Sequence, residues 1–279
     1  MAPVDGYVPS VVNSLMASGK SPLVLLHGVT MSAKAWDDVA PLLSAHHEVV
    51  ALTALGHRGG PPVPRHPATV SDLVDGAQRM LDDLGLERVH LAGNSLGGWM
   101  AIELALRGRA LTVCALSPAG FWDAGGHAQT AGVRKLRRMA GLTRLTRRIQ
   151  PLALRSGLIR RVSMRDIACR ADRLTPKQAL AAADDLIGCA VTEDLLTTRE
   201  QIATVPELPC PVTLAWSGRD AILPSQVNGS IARQRIPQAR FEVLPGVGHV
   251  PMIDDPKLVA RTILATTGAL TGGSTPEIP

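Results

Sequence analysis

Apolar residues in this chain follow two alternating patterns. Short apolar-rich runs occur at 23–26, 48–53, 88–92, 111–116, 212–216 and 241–244. Each is too short for a stable helix but suits a strand covered on both faces. Between them lie stretches with helical spacing. Val70, Leu73, Val74, Ala77, Leu81 and Leu84 share one face and are closed by Gly85, which predicts a helix from residue 68 onward. Ser32 can cap a helix over 33–44, and further helices are predicted at 99–107, 224–236 and 256–266. Strand and helix in alternation predict an α/β fold with a mostly parallel, doubly wound sheet. A β-like run at 8–16 precedes the first strand, and a loop rich in Gly, Pro and His covers 55–67.

The alternation stops after Pro118. From about 120 to 205 only helical pieces appear, at 133–140, 142–149, 158–168, 176–187 and 192–202. The expected organisation is therefore a core of residues 1–119 and 206–270, a helical cap inserted at 120–205, and a C-terminal tail at 271–279 rich in Gly, Ser, Thr and Pro. No internal repeat is visible.

Composition narrows the picture. Hydrophobic residues make up 46% of the 279 and charged residues 19%, the balance of a globular chain with a large core. No apolar run approaches the ~20 residues needed to span a bilayer, and residues 1–10 lack a basic start followed by an apolar block. Cys114, Cys169, Cys189 and Cys210 are scattered without a metal-binding or disulfide spacing, so a reducing, cytoplasmic setting is expected. The net charge of +5 is unevenly placed: between Arg134 and Arg170 stand twelve Lys or Arg and one acid, Asp166, while the rest of the chain is slightly acidic. Binding of nucleic acid by the whole protein is therefore not expected.

The chemistry centres on Gly93-Asn94-Ser95-Leu96-Gly97-Gly98, where the apolar run at 88–92 meets a helical pattern. A sharp turn of this kind needs glycine two residues before and two after its apex, because backbone segments approach too closely for a Cβ. Such a turn lifts the serine hydroxyl clear of the sheet and aims helix N-terminal N–H groups at the same point. A serine hydroxyl is a weak nucleophile and needs a general base with its own orienting acid. Asp220, in Ser217-Gly218-Arg219-Asp220, follows the run at 212–216. His249, in Gly246-Val247-Gly248-His249, follows the run at 241–244. Both would lie at strand C-termini, where a parallel sheet presents its functional edge.

The order Ser95, Asp220, His249 resembles that of the α/β-hydrolase-fold serine hydrolases, in particular the capped, lipase- and esterase-like members, over nearly the whole chain. His27-Gly28-Val29-Thr30 resembles the His-Gly oxyanion loop of that family. The resemblance implies an oxyanion hole built from the Val29 and Leu96 N–H groups, and hydrolysis of a carboxylic ester with a hydrophobic moiety through an acyl-enzyme on Ser95. It implies no metal or organic cofactor. One departure is Leu55-Gly56-His57-Arg58-Gly59-Gly60, which stands where many relatives carry Gly-x-Gly-x-Ser. Serine at the elbow, rather than aspartate, argues against dehalogenase or epoxide hydrolase chemistry. Two alternatives stand beside the ester reading: a cofactor-independent carbon–carbon bond hydrolase of the meta-cleavage type, and a non-catalytic small-molecule receptor using the same pocket.

Other residues receive plainer readings. Asp123 is an alternative triad acid, though an exposed loop aspartate is the simpler expectation. His27 is read as structural. His46, His47 and Glu48 read as a solvated surface group rather than metal ligands, since neighbours on a strand point to opposite faces. His57 and His66 are expected to decorate an exposed loop, and Asn228-Gly229-Ser230 is an incidental glycosylation pattern. In 133–149, Val133, Leu136, Ala140, Leu142, Leu145 and Ile149 recur at helical spacing among arginines. The simpler reading is a cap helix packed over the pocket with its arginines solvated; the other is peripheral contact with an anionic membrane or acidic substrate.

Overall fold

The computed structural model describes residues 19–123 and 127–270. Six strands, β1 (Pro22–Leu26), β2 (Glu48–Leu52), β3 (Val89–Asn94), β4 (Ala110–Leu116), β5 (Val212–Ser217) and β6 (Arg240–Leu244), form one sheet in the order β2-β1-β3-β4-β5-β6. Every pairing is parallel. The central strands are covered on both faces, which is why they read as continuous apolar runs: β3 and β5 are buried throughout and β1 nearly so. This is the α/β arrangement that the alternating pattern predicts. The run at 8–16 and the tail at 271–279 lie outside the described residues.

On the core, α1 (Ala40–Leu43), α2 (Val70–Asp83) and α3 (Leu96–Leu106) accompany the first four strands. α2 begins with a reciprocal cap between Thr69 and Asp72, and its predicted stripe, Val70, Leu73, Val74, Ala77 and Leu81, is buried. α3 is buried on nearly all sides, as its uniformly apolar sequence requires. Among the described residues, the elements between β4 and β5 are all helical: α4 (His127–Thr146), α5 (Gln150–Ala153), α6 (Gly157–Ser163), a 3₁₀ turn at Ala171–Arg173, α7 (Pro176–Gly188) and α8 (Thr192–Leu196). A wide turn at Ser225–Gly229 leads into α9 (Ser230–Arg235), and α10 (Pro251–Asp254) and α11 (Pro256–Thr267) close the chain. Asp185 of α7 anchors the insertion to the core, accepting hydrogen bonds from Ser32 Oγ at 2.5 Å and Arg58 at 3.0 Å.

Several local expectations change. The helix expected over 33–44 is a 3₁₀ turn, Ala33–Trp36, followed by the short α1, because Pro41 donates no hydrogen bond and its ring obstructs the carbonyl four residues back. The pieces expected at 133–140 and 142–149 are one helix, α4. Gly141 costs a helix only about 1 kcal/mol and does not end it. The pieces at 158–168 and 192–202 shrink to α6 and α8. After α8, Thr197 Oγ1 turns back onto the Glu193 carbonyl, and Thr198 Oγ1 bonds to Glu200.

Two histidines expected at the surface are buried. His57 lies edge-on to His27 with ring centroids 4.8 Å apart. His47 is held between Ser21 and Thr267, because the C-terminal helix α11 packs over that end of the sheet.

Strand order sets the place of the site. From β1 the chain steps to one side to form β2, then returns past β1 to form β3 on the other side. The loops leaving β1 and β3 therefore diverge at their C-terminal ends and leave a crevice between them. Into that crevice project Val29 and Ser95.

Candidate active site

Ser95 sits between β3 and α3 with φ 55° and ψ −115°, a conformation that side-chain-bearing residues rarely adopt. Such a conformation costs of order 1–3 kcal/mol and persists only where the surroundings over-determine it. They do so here. The Ser95 N–H donates to the Leu116 carbonyl at 3.0 Å, and the Ser95 carbonyl accepts from Trp99 at 3.1 Å and Ala119 at 2.9 Å. The flanking glycines are obligatory. A Cβ on Gly93 would overlap the Gly97 backbone, and a Cβ on Gly97 would overlap the carbonyls of Leu26 and His27. The second of these contacts also packs the elbow against the loop after β1.

That loop is shaped by His27. The buried imidazole accepts the Ala54 N–H at Nε2, 3.0 Å, so Nδ1 carries the proton and donates to the Gly28 carbonyl at 2.8 Å. Burial, with His57 alongside, pushes the His27 pKa down to about 3, and the Gly28 carbonyl offsets this only in part. The ring is therefore a neutral strut between the loops that follow β1 and β2, as its structural reading anticipates. Thr30 adopts φ 64° and the Met31 N–H closes a turn onto the Gly28 carbonyl at 3.2 Å. Val29 and Leu96 line the same cavity as Ser95. Among the described residues neither the Val29 nor the Leu96 N–H donates a hydrogen bond.

Asp220 and His249 meet directly. His249 Nδ1 donates to Asp220 Oδ2 at 2.8 Å, with both side chains buried. The other carboxylate oxygen, Oδ1, accepts the Ile222 N–H at 2.9 Å and the Leu223 N–H at 2.8 Å. Two backbone donors thus hold the carboxylate in one orientation, and the carboxylate orients the ring. The His249 carbonyl accepts from the Asn94 side-chain amide at 2.9 Å, which ties the histidine loop to the residue before Ser95. That link holds the histidine loop near Ser95; among the described residues the Ser95 hydroxyl makes no hydrogen bond with the His249 ring. Asp123, the alternative acid, lies elsewhere: its side chain is 84% exposed and pairs with Arg235 at 3.4 Å.

One positioning residue escapes the sequence patterns. Asp254, buried in α10, accepts the Gly248 N–H through Oδ2 at 2.6 Å, and the same carboxylate takes the N–H groups of Cys169 at 3.0 Å and Arg170 at 2.6 Å. The Val250 N–H donates to the Ile167 carbonyl at 2.8 Å. The loop carrying His249 is therefore clamped to the insertion. No short motif announces Asp254, because two of its three partners, Cys169 and Arg170, come from a distant segment.

The cavity at Ser95 measures about 70 Å³ and is mostly apolar: Trp99, Ile222 and Leu223 come from the core, and Trp122, Val133, Leu136, Leu195 and Leu196 from the insertion. Residues of α4 and α8 thus roof the serine. A serine held at a sharp turn, two residues with unengaged N–H groups lining the same apolar space, and an imidazole oriented by a carboxylate on the adjoining loop are the kinds of group that attack on a carbonyl uses. Among the described residues no group of His, Cys, Asp and Glu could hold a metal ion, and all four cysteines are free. No described helix is long and apolar enough to cross a membrane. Asn228 of the glycosylation pattern is buried, its amide donating to the Phe121 carbonyl.

Known proteins share both sequence and architecture with this chain. A protein named epoxide hydrolase EphH, from Mycobacterium tuberculosis, is 31% identical over 196 residues, covering 68% of this chain and 91% of that protein. Among solved structures, carboxylesterase CesB (YbfK) from Bacillus subtilis superposes with a TM-score of 0.67 at 21% identity, over 92% of this chain and 86% of that one. The 2-hydroxy-6-oxo-6-phenylhexa-2,4-dienoate hydrolase BphD from Rhodococcus sp. strain RHA1 superposes with the same TM-score at 17% identity, over 88% and 90% of the two chains. The sequence model of the alpha/beta hydrolase family matches residues 23–262, and with six parallel strands in the order described above, the chain belongs to that family.

Proposed function

We propose that this protein is a serine hydrolase that cleaves a carboxylic ester with a hydrophobic moiety, using Ser95, His249 and Asp220. The observation that carries the reading is the His249–Asp220 hydrogen bond, made by a carboxylate whose second oxygen is already committed to two backbone N–H groups, with the His249 carbonyl tied to the elbow through the Asn94 amide. His249 Nε2 takes the Ser95 proton as Oγ adds to the ester carbonyl, and Asp220 holds Nδ1 protonated and stabilises the imidazolium. The oxyanion rests on the Val29 and Leu96 N–H groups, each such donor contributing roughly 10²- to 10³-fold in rate. His249 returns the proton to the leaving alcohol, and water repeats the sequence on the acyl-enzyme.

The similar protein named as an epoxide hydrolase does not carry that chemistry over, because covalent epoxide opening in this fold uses a carboxylate at the position that Ser95 occupies. Carbon–carbon hydrolysis of a dienoate is disfavoured by the cavity. Its lining offers no cation to a substrate carboxylate.

The test is covalent labelling with a fluorophosphonate, followed by hydrolysis of p-nitrophenyl esters of increasing chain length. The native protein labels and Ser95→Ala does not, and Ser95→Ala lowers kcat by roughly 10⁶-fold, as for triad members acting as a unit. A native protein that resists the probe refutes the serine-hydrolase reading, and equal labelling of the variant refutes the choice of nucleophile. A protein that labels but cleaves vinylogous diketones faster than any ester would be a carbon–carbon hydrolase.

A further inference from the structure

Exposed large hydrophobic residues are unevenly distributed. Of ten among the described residues, seven lie within residues 142–162: Leu142, Leu145, Ile149, Leu152, Leu158, Ile159 and Val162. They form a crest at the far end of the insertion, built from the C-terminal half of α4 and from α5 and α6. Leu145, Leu152 and Leu158 are the most projecting, at 81%, 72% and 71% exposed. Scattered single hydrophobics on a surface are ordinary, whereas a contiguous set marks a surface that something covers. All seven stand within one short stretch of the insertion, and three of them, Leu142, Ile149 and Ile159, line one cavity.

Charge identifies what covers it. Arg144, Arg148, Arg155, Arg161 and Arg165 are exposed along the same stretch, residues 134–165 contain no acid, and none of these five arginines makes an ion pair among the described residues. Arginines that the fold does use in this region, Arg137 and Arg147, have carboxylate partners in Glu193 and Asp184. A second copy of this chain is a poor occupant, because apposed crests would bring the same unpaired arginines face to face. Nucleic acid would satisfy the arginines but leave the leucines between them against phosphate or water. An anionic lipid surface accommodates both, with the leucines entering the acyl boundary and the arginines meeting the headgroups.

We propose that the crest formed by residues 142–162 docks the protein on an anionic lipid membrane surface and presents the site to esters held there. A cavity of about 450 Å³ is lined by Leu142, Ile149 and Ile159 of the crest and by Thr30 and Met31, the residues directly after Val29. This cavity thus gives an apolar lining shared by the crest and the loop that follows β1. Docking stands on the crest alone; the ester as substrate rests on the serine-hydrolase reading above.

Sedimentation with vesicles separates the two claims. The full-length Ser95→Ala protein is mixed with phosphatidylcholine vesicles, pure or with about one third phosphatidylglycerol, at low and high salt. The expected result is binding to the anionic vesicles that falls with salt, and little binding to the neutral ones. Each basic side chain near an anionic leaflet contributes about fivefold in partitioning, so Arg144→Gln/Arg148→Gln/Arg155→Gln/Arg161→Gln lowers it by roughly several hundred-fold. Leu145→Asn/Leu152→Asn/Leu158→Asn removes the part that survives high salt. These side chains are solvent-exposed, and circular dichroism checks that both variants are folded.

Equal binding to both vesicle types, or none, overturns the proposal. So does a concentration-dependent dimer that the leucine variant converts to monomer, since the crest would then be an interface between copies. With Ser95 intact, wild type cleaves a long-chain ester in anionic vesicles faster than either crest variant does, while all three cleave a short soluble ester alike. A protein that docks but cleaves neither ester leaves docking supported and removes the hydrolase reading instead.

Discussion

Asp220→Asn is a sensitive perturbation of the proposed site, because the structure dictates which way the new amide must point. The two backbone donors, Ile222 N–H and Leu223 N–H, both approach Oδ1. An asparagine can satisfy them only by placing its carbonyl oxygen there, which aims its NH₂ group at His249 Nδ1, where Oδ2 stood at 2.8 Å. The reversed amide would set an NH₂ group against two N–H donors and leave both unsatisfied in a buried site, at about 1–3 kcal/mol each. The ring must then accept at Nδ1 and carry its proton on Nε2, so it cannot take the Ser95 proton. Where a triad histidine is locked in the wrong tautomer, kcat falls by about 10⁴-fold, equivalent to roughly 5.4 kcal/mol in the barrier. Because the loop-holding hydrogen bonds survive, the urea midpoint should shift little. The assay is steady-state hydrolysis of a short p-nitrophenyl ester, with unfolding followed by circular dichroism on the same preparations. A kcat within tenfold of wild type refutes the tautomer argument and reduces Asp220 to a loop clamp. A variant as inactive as predicted but strongly destabilised shows that the amide took the other orientation.

Two further outcomes follow from the same geometry. Ser95→Gly should be inactive yet more stable than Ser95→Ala by about 1 kcal/mol in urea titrations, since only glycine relieves the backbone held at φ 55°; equal stabilities would show that the elbow stores no strain. Stability should also fall on acidification below about pH 6.5. His27, held at about 3 in the folded state by burial, stays neutral while the unfolded chain takes up a proton, so folding loses about 1.4 kcal/mol per pH unit and about 3 kcal/mol by about pH 4.5. His90, lowered to about 4 by burial and by His47, acts in the same direction. His27→Gln should flatten the dependence, and an unchanged slope in that variant would assign the acid sensitivity to other groups.

Ser95 was legible in the sequence because its demands are local. Gly93 and Gly97 are required by contacts within a few residues and with β1, so the pattern survives in one dimension. The central strands were legible for a similar reason, since burial on both faces writes itself as a continuous apolar run. Helix ends were less so. Gly141 resembles a break and is not one, whereas the expected helix over 33–44 is divided into a 3₁₀ turn and a short helix with Pro41 in its first turn.

Partners distant in sequence were settled only by folding. Asp123 and Asp220 both follow strands, and it is the pairing of β5 with β6 that brings Asp220 to His249, while Asp123 turns outward to Arg235. The burial of His47 and His57 and the clamp at Asp254 depend likewise on which surfaces meet, and no local spacing encodes that. The sequence by itself determined the family's strand–helix order and the serine at its sharpest turn, since backbone sterics and periodicity act between near neighbours. Tertiary structure decided which acid faces the histidine, what roofs the pocket and where arginines stand unpaired beside exposed leucines, since these depend on long-range packing.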